Sequence, residues 1–184
     1  MQNELYQELK PDILIPHTQL SARVAELGAQ ITADYRGRDL VIVGILKGAV
    51  VFLSDLIRHI DLPLTIDFMA ISSYGNATKS SGVVRIMKDL DRDLVEKHVL
   101  VVEDIIDTGL TMSFLKNNLL SRGASSIRVC ALLDKPERRL VRLSSDYTGF
   151  TIPDAFVIGY GLDYDQKYRN LPEICVLRPE FYEN

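Results

Sequence analysis

The chain has 184 residues, 47% of them hydrophobic and 25% charged, with a formal net charge of −4. That is the length and balance of one globular domain with a sizeable core, and its acidic sign argues against non-specific nucleic-acid binding. No apolar run approaches the ~20 residues that span a bilayer, and residues 1–10 are too polar and acidic to read as a secretory leader.

Residues 18–34 carry Leu20, Val24, Leu27 and Ile31 at spacings of 4, 3 and 4, which predicts an amphipathic helix closed by Gly37. Residues 40–46 are an apolar run typical of a strand buried on both faces, and it ends in Lys47 and Gly48. Residues 49–60 read as a largely buried helix stopped by Asp61 and Pro63, and 64–72 as a third strand. Residues 73–82 are made of Ser, Tyr, Gly, Asn, Ala, Thr and Lys with almost no aliphatic side chains, so a loop is expected there, followed by a strand over 83–87 and a charged turn over 88–97.

A second buried-strand run follows at 99–102, then the carboxylates Glu103 and Asp104, two apolar residues, Asp107, and Thr108-Gly109-Leu110-Thr111. Residues 112–122 read as a helix with Phe114, Leu115, Leu119 and Leu120 on one face and Gly123 as its stop. A further strand is expected over 126–133 and a short helix over 136–143. From Tyr147 the chain is rich in Pro, Gly and Tyr. Cys130 and Cys175 are far apart and form no Cys-x-x-Cys pair, so two reduced, buried thiols in a cytoplasmic protein are expected.

Alternating strands and helices imply an α/β fold, a parallel twisted sheet with helices on both faces. Ligands bind such sheets at the carboxyl ends of the strands. Lys47-Gly48, residues 103–111 and Asp134-Lys135 all fall at such ends. The N-terminus of the helix expected over 112–122 offers backbone N–H groups and a partial positive charge to a phosphate. Gly109 allows close approach, and Thr108 and Thr111 supply hydroxyls. Carboxylates on the rim of a phosphate site suit a sugar diol, a hydrated metal or a proton, so a phosphorylated sugar is the expected ligand. The Walker A pattern is absent. For any one of these residues, an ordinary capped β-to-α turn is the plain alternative.

The segment Val-Val-Glu-Asp-Ile-Ile-Asp-Thr-Gly-Leu-Thr (101–111) resembles the phosphoribosyl-pyrophosphate (PRPP) motif of type I phosphoribosyltransferases. Asp107 is the residue found there in the 6-oxopurine enzymes. The likeness extends over about residues 10–178, through Leu46-Lys47-Gly48, Ser72-Ser73-Tyr74-Gly75, Leu133-Asp134-Lys135-Pro136 and residues 152–164. It is to the bacterial hypoxanthine and hypoxanthine-guanine phosphoribosyltransferases.

That resemblance implies a single domain over 1–184, with a core at about 36–145 and a small hood from about 1–17 and 146–184. It implies purine salvage: transfer of the 5-phosphoribosyl group from PRPP to N9 of hypoxanthine or guanine, giving IMP or GMP and pyrophosphate. Asp107 would manage the proton at N7, and Glu103, Asp104, Ile106, Asp107, Thr108, Gly109, Leu110 and Thr111 would hold the ribose and 5′-phosphate. Lys47, Gly48 and Arg169 would bind pyrophosphate; Lys135, Phe156, Val157 and Asp163 belong to the purine pocket. Lys135 would donate to O6, Phe156 would stack on the base, and the Val157 backbone would read its edge. Ser73 and Tyr74 would open a mobile loop over the site, residues 73–82. Glu103, Asp104 and Asp163 would serve Mg²⁺, the implied cofactor. A non-proline cis peptide is implied at Leu46-Lys47, although Ala49 stands where the family often has Gly. Implied too are a dimer or tetramer, and neither a nucleic-acid nor a membrane partner. Readings still open are a xanthine-preferring relative, a PRPP-sensing regulator that binds nucleic acid, and an α/β domain without a PRPP site. His17, His59 and His98 are scattered and carry no assigned role.

Overall fold

The computed structural model describes residues 11–74 and 83–182. The expected lid over 73–82 lies outside them, apart from the strand backbone at 73 and 74. The order of elements is β1 (Asp12–Ile15), α1 (His17–Tyr35), β2 (Leu40–Leu46), α2 (Val50–Leu56), β3 (Leu64–Tyr74), β4 (Val83–Lys88), β5 (His98–Ile106), α3 (Leu110–Leu120), β6 (Ser126–Asp134), β7 (Tyr147–Thr151), β8 (Val157–Ile158) and β9 (Ile174–Val176). Short 3-10 turns follow α2 at Ile57–His59 and β6 at Pro136–Arg138.

Six strands form one sheet in the order β4-β3-β2-β5-β6-β7. All neighbours are parallel except β3 and β4. A separate antiparallel sheet, β1-β9-β8, joins the N-terminal strand to two strands from the C-terminal quarter.

The central strands are apolar at nearly every position because both faces are covered. Leu40, Ile42, Leu100, Val102 and Leu132 point to the face packed by Leu20, Val24, Leu27 and Ile31 of α1 and by Phe52, Leu53 and Leu56 of α2. The alternate residues Val41, Val43, Val99, Val101, Val129 and Ala131 pack with Met112, Leu115 and Leu119 of α3. Leu100 is fully buried in the middle of the first layer. Leu100→Ala is expected to destabilise the fold by about 2–5 kcal/mol, the range for a buried Leu truncated in a core that cannot fully collapse. A denaturant titration read at constant slope measures it.

Four expectations need correction. Strand β5 does not stop at Val102: it pairs with β6 through Ile106↔Asp134, so Glu103 and Asp104 lie in the strand and not in the turn. The apolar run of β6 supplies a partner that overrides the poor β propensity of two carboxylates. Helix α3 buries Met112, Leu115 and Leu119, whereas Phe114 and Leu120 are exposed. The expected helix over 136–143 is one 3-10 turn, because the Leu140 N–H donates to Thr108 O at 3.0 Å and ties the segment to the β5–α3 turn. Lastly, β3 runs on to Tyr74 because β4 pairs with it there, Tyr74↔Val83.

Candidate active site

Strand β2 sits between β3 and β5, with α2 leaving its end toward one face of the sheet and α3 leaving the end of β5 toward the other. The two connections diverge, which opens a crevice at their carboxyl ends. A cleft of about 460 Å³ lies there. Of the residues expected in the site, Lys47, Gly48, Glu103, Asp104, Ile106, Asp107, Thr108, Gly109, Thr111, Asp163 and Arg169 line it. Leu46, expected in the cis peptide with Lys47, lines it too, as do Ile45, Ile71, Ile105 and Met112, which carried no assigned role.

The 107–111 turn is shaped by Gly109, which has φ 81° and begins α3 with no side-chain cap. The first-turn N–H groups of a helix lack intrahelical partners. Here Leu110 N–H meets Thr108 Oγ1 only at 3.4 Å. The end of the helix is therefore an anion cradle open to the cleft.

On the opposite wall the Leu46–Lys47 peptide is cis, as expected. Gly48 packs so closely on Asp104 that a Cβ there would lie 1.5 Å from Asp104 Oδ2. From the other side, a Cβ on Gly161 (φ 103°) would meet Gly48 O at 2.2 Å. The Lys47–Gly48 wall is thus clamped between a carboxylate and a second backbone, and only glycines permit it.

Asp163 and Arg169 pair at 2.7 Å, and Arg169 donates to Gly161 O at 2.8 Å. Gln166, overlooked in the sequence, accepts from Lys47 Nζ at 3.1 Å and from Arg169 at 3.3 Å. It holds the two cations side by side. Nothing local marks it: Asp165, Gln166 and Tyr168 all have positive φ in a loop whose shape comes from what it contacts.

Burial pushes the Glu103 carboxyl well above the usual range, and the Asp104 charge beside it adds to the rise. A divalent cation between them would relieve that repulsion. Among the described residues no three His, Cys, Asp or Glu side chains form a metal cage. Two carboxylates plus a distant third fit Mg²⁺, which keeps most of its water.

The residues expected around a base form a second group beside the cleft. Lys135, 7% exposed at the end of β6, donates to Ala155 O at 2.6 Å and lies 3.5 Å from Asp154. Its own N–H donates to Ile106 O at 2.9 Å, tying it to β5. Phe156 stacks on Tyr182 with centroids 4.9 Å apart and meets Tyr164 edge-on at 5.8 Å. Val157 is buried in β8. Both cysteines are free and buried, and burial raises the Cys175 thiol to about 11 and Cys130 further. No helix among the described residues is long and apolar enough to cross a membrane.

The sequence matches the phosphoribosyl transferase domain family over residues 12–165. It is 51% identical over 186 residues to the hypoxanthine-guanine phosphoribosyltransferase of Mycobacterium tuberculosis, covering 98% of this chain and 92% of that one. To the enzyme of that name from Bacillus subtilis it is 50% identical over 172 residues, covering 94% and 96%. A crystal structure of a hypoxanthine phosphoribosyltransferase from Staphylococcus aureus superposes over the full length of both chains with a TM-score of 0.95 at 48% identity. With half of all positions shared over nearly the whole length, the domain matched over 12–165 and a backbone that superposes end to end, the chain belongs to the phosphoribosyltransferase family.

Proposed function

We propose that this protein is a purine-salvage enzyme that transfers the 5-phosphoribosyl group of PRPP to N9 of hypoxanthine or guanine, releasing IMP or GMP and pyrophosphate. The observation that carries this reading is the cleft at the β2/β5 switch point, where a helix-start cradle, two adjacent carboxylates and a clamped Lys-Gly wall converge. Relatives half-identical to the chain carry the name of that activity.

In this reading the cradle of Thr108, Gly109, Leu110 and Thr111 holds the 5′-phosphate, with Ile106 beside it. Glu103 and Asp104 hold the ribose hydroxyls, and Lys47, Gly48 and Arg169 the pyrophosphate. Ser73 and Tyr74 are assigned to the PRPP phosphates on the resemblance alone. Glu103, Asp104 and Asp163 are the residues that would hold Mg²⁺, whose charge would offset that of the departing pyrophosphate. The chain's own share is to hold C1′ of the ribose in line with N9, to shield the centre from water, and to place Asp107 where it can take or return the N7 proton. Lys135 donates to O6, Phe156 stacks on the base and the Val157 backbone reads its lactam edge. We treat residues 1–184 as one domain whose small β1-β9-β8 sheet belongs to the hood over the base. The enzyme is placed in the cytoplasm as a dimer or tetramer; sedimentation of purified protein measures the latter.

Purified protein assayed with PRPP and Mg²⁺ against hypoxanthine, guanine, xanthine and adenine is the direct test. Turnover of hypoxanthine and guanine with little of adenine is expected, and no turnover of any 6-oxopurine overturns the reading. Lys135→Ala should lower kcat/KM for hypoxanthine by the cost of a lost charged hydrogen bond, about 1.5–3 kcal/mol. Adenine should gain nothing from it, since its N1 bears no proton for the Val157 backbone to read. An unchanged ratio of the two specificity constants would remove Lys135 from O6 recognition.

A further inference from the structure

N7 and O6 share one edge of a 6-oxopurine, so the groups that meet them must stand at a fixed spacing. In this chain Asp107 and Lys135 come from the ends of neighbouring strands, and a chain of alternating charges connects them. Arg138 Nε lies 2.9 Å from Asp107 Oδ1, and Arg138 also reaches Asp154 Oδ1 at 3.4 Å. Lys135 Nζ lies 3.5 Å from the same Asp154 oxygen. Among the described residues no group, Arg138 included, meets the buried Asp107 Oδ1 in hydrogen-bond alignment, so the contact is an ion pair by proximity. At 2.9 Å the guanidinium of Arg138 is the charged group that faces that oxygen.

We propose that Arg138 is a positioning residue, holding Asp107 at the place and orientation in which it meets N7 of the base. This inference rests on the base-binding reading above. The local structure suits the role. The turn Pro136–Arg138 opens with proline, whose fixed φ sets its direction. Arg138 N–H closes the turn on Lys135 O at 3.3 Å, which folds the Arg138 side chain back toward the strand end. The neighbouring Leu140 N–H to Thr108 O bond pins the far side of the turn to the Asp107 loop. Arg138 stands against the buried Oδ1, while the Asp107 side chain as a whole is 40% exposed and lines the cleft, so the rest of the carboxylate is left to the base. Arginine keeps its charge throughout the working pH range, so it supplies position and a fixed positive charge but no proton.

The test compares hypoxanthine with 7-deazahypoxanthine, which keeps O6 and N1–H but has C–H in place of N7. With Arg138→Gln, kcat/KM for hypoxanthine should fall about fivefold, the effect of one partly screened ion pair. KM for PRPP and the inhibition constant of 7-deazahypoxanthine should stay at the wild-type values, because neither depends on Asp107 facing N7. Arg138→Lys should restore most of the loss. Equal losses for the two bases, a matching rise in the KM for PRPP, or no loss for hypoxanthine would overturn the proposal. A wild-type protein that does not use hypoxanthine would instead overturn the functional reading itself, so the two failures are distinguishable.

Discussion

Asp107→Asn is expected to lower kcat with hypoxanthine by roughly 10²–10⁴-fold while leaving the KM for PRPP near the wild-type value. That is the range a positioned acid–base group contributes. Asparagine keeps the shape of the side chain but removes its negative charge and its capacity to hold a proton, and with the charge goes the ion pair to Arg138. The substitution also separates two roles. Asn caps a helix as well as Asp does, and α3 begins at Gly109 without any side-chain cap. A variant that lost only a cap would keep its turnover and show at most a small change in melting temperature. Initial rates at saturating PRPP, set beside a thermal melt, measure both. Near-normal turnover would remove Asp107 from the chemistry.

Gly48→Ala is expected to lower kcat/KM for PRPP by about 10²-fold, the cost of displacing a positioned group by about 1 Å. The added methyl would sit 1.5 Å from Asp104 Oδ2 and 2.5 Å from its Cγ, so Asp104 has to move. Its other oxygen already accepts from Ile105 N–H at 2.8 Å, and that bond would be lost as well. The loop cannot retreat instead, because Gly161 blocks it from behind. Since the clash falls on a carboxylate assigned to the ribose and Mg²⁺, the apparent affinity for Mg²⁺ should weaken along with that for PRPP. Titrating each at fixed concentrations of the other measures this. A variant with unchanged PRPP and Mg²⁺ dependence would show that the wall tolerates a side chain and that Asp104 is not needed where it stands.

Much of the site was legible in the sequence because it is local. Asp107 and the cradle fill five consecutive residues, 107–111, and their meaning follows from a buried strand before them and a helix that begins among them. The Lys47-Gly48 wall follows another buried strand in the same way. Where reading went astray, a partner remote in sequence decided the outcome. The pairing of β5 with β6 drew Glu103 and Asp104 into a strand, and Thr108 took the backbone bond that a helix at 136–143 would have needed. Gln166 carried no assignment for the same reason: what joins it to the site is Lys47, 119 residues away.

By itself, then, the sequence determined the alternation of strands and helices, the two-sided burial of the central strands and the chemistry of the cradle. Each of these is written in the spacing of residues a few positions apart, where apolar periodicity, glycine and hydroxyls act within one turn or strand. Only the tertiary structure decided which segments meet. It placed β2 beside β5 so that their connections part and open the cleft, and set Gly161 against Gly48. It also laid Arg138 across Asp107 and Asp154. These contacts join residues tens of positions apart, and what selects them is the burial of both sheet faces as a whole, a property that no local window of the chain contains.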